Sequence, residues 1–170
     1  IGVSVVDWRR LNENPVELVS HDIVIFYRLP AMPAVLKAMA QVNASGAMSF
    51  YEIDDLLFDP VYPPPVETYG GYVELPQYRQ LVQSMVMHQA AARHCRMGIA
   101  STEPLRRRLG ELVFGGHCLV HRNGVGATGW LARPPASEKA TVDIFYGSGT
   151  QAHNTDFIEL ALPALESILQ

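Results

Sequence analysis

The chain has 170 residues, 48% of them hydrophobic and 18% charged, which is enough to bury a core and too apolar for a disordered or low-complexity segment. Thirteen basic against seventeen acidic side chains leave a formal charge of −4, which weighs against nucleic acid as the principal partner. Cys95 and Cys118 lack the number and spacing of a disulfide framework or a zinc site; no apolar run nears the roughly 20 residues of a membrane span, and the start has no signal-peptide pattern, so a reducing cytoplasm fits best.

Strand-like and helix-like runs alternate from the first residues onward. Val3 to Val6 reads as a strand, and Pro15 with Val16, Leu18 and Val19 as a short helix. The run from His21 to Tyr27 is continuously apolar after Asp22, the pattern of a strand buried on both faces. Pro33 starts a helix through Val35, Leu36, Met39 and Val42, with Gly46 past its end, and Met48 to Ile53 returns as a strand. Residues 59–76 carry five prolines and a Gly-Gly pair, so they are irregular, either a substrate-side loop or an ordinary surface excursion. Tyr78, Leu81, Val82, Met85 and Ala92 then recur at helical spacing, and Met97 to Ala100 forms a short strand. Thr102 and Pro104 open a helix with the stripe Leu105, Leu109, Leu112, whose Arg106, Arg107 and Arg108 read as a solvated outer face. His117 to His121 is the last strand of this series, closed by Asn123 and Gly124. The order of elements predicts an α/β fold, a Rossmann-like, mainly parallel sheet with helices on both faces.

Residues 124–139 are rich in Gly, Ala and Pro without periodicity, and read as an interdomain linker. The expected organisation is an N-terminal domain over 1–123, the linker, and over 140–170 the first strand and helix of an incomplete second domain, with Pro163 kinking or splitting that helix. Both ends read as cut from a longer chain. An unfinished domain leaves apolar surface that pairing of two copies would cover, so a homodimer is expected.

Two constellations carry chemistry. Asp54 and Asp55 follow an apolar strand, where adjacent carboxylates can orient hydroxyls or act as a general base; the plain alternative is a helix N-cap ahead of Leu56, Leu57 and Phe58. Arg28, at the end of another strand, either pairs with these acids or meets a phosphate. Further on, Gly147, Ser148, Gly149 and Thr150 form a small-residue turn between a strand and a capped helix, with His153 close behind. That arrangement suits an anion such as a diphosphate, although the spacing is neither GxGxxG nor GxxxxGK[ST]; the plain alternative is a tight connecting turn. His21, His88, His94, His117 and His121 share no ligand spacing, and the cysteines read as buried hydrophobes.

Four segments in order resemble the two-Rossmann-domain glycosyltransferases, GT-B, of the broad family 4 or group 1 type. They are Asp22-Ile-Val-Ile-Phe-Tyr-Arg28; Tyr51-Glu-Ile-Asp-Asp-Leu-Leu-Phe-Asp59, close to the family's DxDDLLF with Glu52 where Asp is common; Ser101-Thr102 with Leu105, then Val120-His-Arg-Asn-Gly-Val125; and Phe145-Tyr-Gly-Ser-Gly-Thr150 with His153 and Asp156-Phe157. The resemblance implies a hexosyltransferase of surface-polysaccharide biosynthesis, carrying a sugar from a nucleotide-diphosphate sugar to a saccharide or lipid-linked acceptor. It implies donor-phosphate contacts at Gly147, Ser148, Gly149, Thr150 and His153, an acceptor side at Arg28, Glu52, Asp54 and Asp55, and retention of anomeric configuration. Asp54 and Asp55 are the catalytic candidates, with no bound metal or other cofactor expected. The expected partners are the nucleotide sugar and the acceptor, with no nucleic acid, and the expected place is the cytoplasm or the inner face of a membrane, where the enzyme would associate peripherally. This piece alone is expected to be inactive. The alternative is a non-catalytic α/β module that binds a glycan acceptor or a protein; an unrelated nucleotide-binding or methyl-transfer domain lacks a glycine-rich turn after the first strand.

Overall fold

The computed structural model describes residues 2–11, 15–71, 73–124 and 157–169. It divides into two compact units, Ile1–Pro63 with Gln80–Gly124, and Pro64–Arg79 with Val125–Gln170.

The first unit is built on four parallel strands, β1 (Ile23–Tyr27), β2 (Met48–Ile53), β3 (Met97–Ala100) and β4 (His117–Val120), in the spatial order β1-β2-β3-β4. Helices α1 (Pro15–Val19), α2 (Pro33–Ser45), α3 (Leu75–Ala92) and α4 (Glu103–Leu112) alternate with them. This is the α/β Rossmann-like architecture, an all-parallel sheet with helices packed around it. Each boundary has a local cause. Pro33 occupies the first position of α2, where its missing N–H costs nothing, and Gly46 ends the helix at φ 86°, a left-handed conformation that an L side chain resists. Thr102 caps α4 by accepting from the Leu105 N–H at 3.5 Å.

The core lies where these helices meet one row of sheet side chains. Val24 and Phe26 of β1, Tyr51 and Ile53 of β2, Ala100 of β3 and Cys118 of β4 are buried with Val35, Met39 and Val42 of α2, Ala91 and Ala92 of α3, and Leu109 of α4. Burying each large side chain stabilises the fold by about 1.5–3 kcal/mol. The register aligns Tyr51 with Gly98, and a Cβ on Gly98 would stand 2.8 Å from Leu109 Cδ2 and 2.9 Å from Cys118 Sγ, so the close seat of α4 on β3 needs glycine there. Ser49 is the fully buried polar residue of this core. Its hydroxyl donates to Asn43 Oδ1 at 2.6 Å and accepts from the Arg96 N–H at 2.9 Å, tying the end of α2 to the starts of β2 and β3.

Three readings change at the level of elements. Residues 2–7, expected as a strand from Val3 to Val6, have no regular structure, and a 3-10 turn, Trp8–Arg10, follows them. The segment after β2 is bends and turns, so Asp54 and Asp55 do not cap a helix; the prolines from Pro60 onward deny the chain a helical continuation. β1, expected to be buried on both faces, buries Val24 and Phe26 and leaves Ile23, Ile25 and Tyr27 about half exposed, because it is an outer strand among those described; the described residues of 59–74 are irregular as expected, apart from a 3-10 turn, Val66–Tyr69.

In the second unit that turn ends at Gly70 with φ 56°, and the Tyr69 and Tyr78 rings meet at a tilt of 58° with centroids 6.2 Å apart. Near the C-terminus a π-helical turn, Phe157–Ala161, leads into α5 (Leu162–Leu169). The geometry changes next to Pro163, which lies inside this continuous helical stretch and has no N–H to donate to the preceding turn. The expected linker 124–139 lies outside the described residues after Gly124, and of the expected 140–170 piece only 157–169 are described. Among the described residues no helix is long and apolar enough to cross a membrane.

Candidate functional site at the carboxyl ends of the strands

Because all four strands are parallel, the residues that follow them gather at one edge, where ligands of open α/β sheets bind. Arg28 follows β1, Asp54 and Asp55 follow β2, Ser101 and Thr102 follow β3, and His121, Arg122 and Asn123 follow β4. The apolar strands are held in register by the core, and that register brings these distant polar residues into contact.

Arg28 is the hub. Its N–H completes the ladder by donating to Glu52 O at 2.9 Å, and its φ of 48° is the one positive value among the described non-glycine residues. Such a conformation is costly for a long side chain and persists where the surroundings dictate it. The surroundings are two carboxylates: one guanidinium nitrogen lies 3.1 Å from Asp54 Oδ1 and the other 2.9 Å from Asp55 Oδ2. Partial burial works against the guanidinium charge, but a hydrogen bond with Tyr27 and the two carboxylates outweigh it and raise the Arg28 pKa. Of the two readings for Arg28, the ion pair with the acids is the one present.

The two aspartates are not equivalent. Asp54 is 27% exposed and also receives the Asn123 amide at 3.4 Å, while its backbone oxygen accepts from the Ser101 hydroxyl at 3.1 Å. Asp55 is 55% exposed, its carboxylate facing solvent beyond the single bond to Arg28. Glu52 lies two residues before Asp54, within β2, 3.8 Å from the His121 ring. A cleft of about 400 Å³ opens beside the cluster, lined by Ser101, Thr102, Glu103, Arg122 and Asn123. Together these groups form a mouth rich in acceptors, balanced by two arginines, with a geometry suited to hydroxyl-bearing ligands.

Beneath the mouth is a pair that sequence reading left among the structural histidines. Tyr51 OH donates to Leu29 O at 3.0 Å, which leaves its oxygen to accept from His88 Nδ1–H at 2.9 Å. Both side chains are buried. Burial and the nearby Arg28 charge hold the His88 pKa below its ordinary value, and burial raises that of Tyr51. Since Leu29 follows Arg28, this pair anchors the turn that presents the guanidinium. Nothing in the one-dimensional pattern marked it, because His88 and Tyr51 lie 37 residues apart and meet across a helix–sheet interface. Asn123 was legible as a turn residue at the end of a strand; its reach to Asp54 required β4 to lie beyond β3.

The remaining residues of interest fall elsewhere. Arg106 and Arg107 both bind Glu103, whose pKa their hydrogen bonds lower to about 2, and Arg108 pairs with Asp59, so each arginine of this basic run has an acidic partner. Cys95 and Cys118 are buried free thiols with pKa values pushed up by burial to about 12 and about 11. Gly147, Ser148, Gly149, Thr150 and His153 lie outside the described residues. Among the described residues no group of three or more His, Cys, Asp or Glu side chains is placed to hold a metal ion. Comparison of the chain with protein-family models, with curated proteins and with solved structures finds no match in any of the three.

Proposed function

We propose that this chain forms the acceptor side of a GT-B-type glycosyltransferase, which moves a sugar from a nucleotide-diphosphate sugar to a saccharide or lipid-linked acceptor. The observation that carries the reading is the unequal aspartate pair at the carboxyl ends of parallel strands. Asp54 is consumed in holding Arg28 and Asn123, and Asp55 is left open on the same guanidinium. In this reading Asp55 accepts a hydrogen bond from the acceptor hydroxyl and orients it, Arg28 fixes the carboxylate's position, and Glu52 supplies a further acceptor at the rim. The acceptor oxygen forms its bond to the anomeric carbon as the bond from that carbon to the diphosphate oxygen breaks; the nucleoside diphosphate leaves with the electron pair, and the hydroxyl proton passes to the Asp55 carboxylate. The turn at Gly147, Ser148, Gly149 and Thr150, with His153, is the proposed partner of that leaving charge.

Transfer from a panel of nucleotide-diphosphate sugars to saccharide acceptors, measured on the full-length protein that carries this sequence, tests the proposal. Asp55→Asn lowers turnover by about 10²- to 10⁴-fold with unchanged circular dichroism. A folded wild-type protein that neither binds nor turns over any donor overturns transfer and leaves the non-catalytic glycan- or protein-binding module. That second reading draws on one observation, the ion pair of Arg28 with Asp54, which is what a purely structural cluster also requires.

A further inference from the structure

Among the described residues β1 is an outer strand of the sheet, with β2 on one side. Its ladder is anchored by Met48 N–H donating to Asp22 O and by Arg28 N–H donating to Glu52 O. Groups along a strand alternate in direction, so Val24 and Phe26 also face β2, and the N–H and C=O groups of Ile23, Ile25 and Tyr27 face outward. Protein sheets protect such an edge with charge, proline, a bulge or a cover. β1, Ile-Val-Ile-Phe-Tyr, contains neither a charged residue nor a proline, and its pairing with β2 runs without a bulge. Ile23, Ile25 and Tyr27 are 58, 50 and 54% exposed.

A cavity of about 320 Å³ runs along this edge, with Val3, Ser4 and Val6 on one wall and Ile23, Val24 and Ile25 on the other. A hydrocarbon guest would match the side chains but leave the outward backbone groups unsatisfied. An extended polypeptide satisfies both. The segment beside the cavity has the composition for it: Gly-Val-Ser-Val-Val over residues 2–6, with three β-branched valines, Val3 and Val5 86 and 95% exposed and Val6 packed against the core. It is tethered in place, because the Ser4 hydroxyl is hydrogen-bonded to the His21 ring at 2.9 Å.

We propose that the free edge of β1 is a strand-acceptor surface whose occupant is the segment 2–6 of the same chain, which adds as a fifth parallel strand and fills the cavity. Topology permits it. A parallel connection needs a crossover of a dozen or more residues, which 7–22 supply, and α1 within that crossover packs against α2 as a right-handed connection on the same side of the sheet requires. The described arrangement is the open state of this element, and the closed state removes the exposed edge without any other element moving. The inference is independent of the proposed sugar transfer and is read without any activity.

Amide hydrogen exchange by NMR on this chain is the test. In the closed state the Ile25 and Tyr27 amides are slowed, by roughly 100-fold or more, into the range of Val24 and Phe26. With Val6 on the core face, Ser4 and Val6 turn their backbone groups toward β1, so Ser4→Pro removes a donor of the new ladder and strips that protection from Ile25 while Val24 stays protected; Ser4→Thr, which keeps the N–H and the hydroxyl, retains it. Ile25 exchanging at its unprotected rate in the wild type overturns the proposal, as does protection that survives Ser4→Pro. Protection that grows with protein concentration alongside dimer formation in sedimentation also overturns it, and assigns the strand to a second copy.

Discussion

At the end of β1 and along its side the same strand is treated in opposite ways. At the end, the Arg28 N–H is bonded within the ladder and its guanidinium holds two carboxylates, one of them shared with Asn123 from the far side of the sheet. Along the side, the described state gives the outward groups of Ile23, Ile25 and Tyr27 no ladder partner, although the side chains are as apolar as those of a buried strand. The difference teaches where specificity resides in this fold. Polar groups at the strand ends are satisfied by partners that the register delivers from four different strands, so they are over-determined, and strain at Arg28 is tolerated. The edge depends on a single neighbouring segment, so it has two states.

The comparison can be sharpened first in stability. Ile53→Ala behind the mouth, at a fully buried position, lowers the unfolding free energy by about 2–5 kcal/mol in urea titrations, whereas Ile25→Ala on the open face costs about 1 kcal/mol or less while the edge is open. A cost for Ile25→Ala that approaches that of Ile53→Ala shows the face to be covered. Next is the backbone at Arg28. Arg28→Ala loses both ion pairs and retains the left-handed strain, while Arg28→Gly loses the pairs and relieves it, so the glycine variant is the more stable of the two by about 1 kcal/mol. Equal stabilities would remove strain from the account of the mouth.

A smaller effect follows from His88. Its folded pKa is depressed, so the unfolded chain binds the extra proton first, and stability is fully present above about pH 6.5 and falls as the pH is lowered from there toward the folded value. Thermal midpoints between pH 7 and pH 5 show this slope in the wild type. In His88→Asn, which keeps a donor to Tyr51 without a titrating ring, the slope is shallower; an unchanged slope assigns it to other groups. The smallest effect is chemical. Cys95 and Cys118, buried and with raised pKa values, react with iodoacetamide in the native protein far more slowly than after denaturation, and rapid native labelling of either marks local opening of the core.

Much of the framework was legible in one dimension because its signals are local. Met48 to Ile53 and Met97 to Ala100 match β2 and β3, Pro33 and Gly46 bound α2, and Thr102 opens α4, since apolar runs, proline and a left-handed glycine act within a few residues. The same locality explains the miss at Val3 to Val6: the run has strand composition, but pairing is a property of two segments, and the described state leaves it unpaired.

What sequence by itself determined is therefore the alternation of elements, the parallel α/β class and the presence of acids and an arginine at strand ends, all set by chain-local sterics and hydrophobic period. Tertiary structure alone decided that Asp54 is tied while Asp55 is open, that Asn123 and Ser101 serve Asp54, and that His88 supports Tyr51 beneath the Arg28 turn. These relations depend on strand order and register, which place residues 26 to 69 positions apart within hydrogen-bonding distance, and the contacts that fix them arise from packing of the whole sheet against its helices.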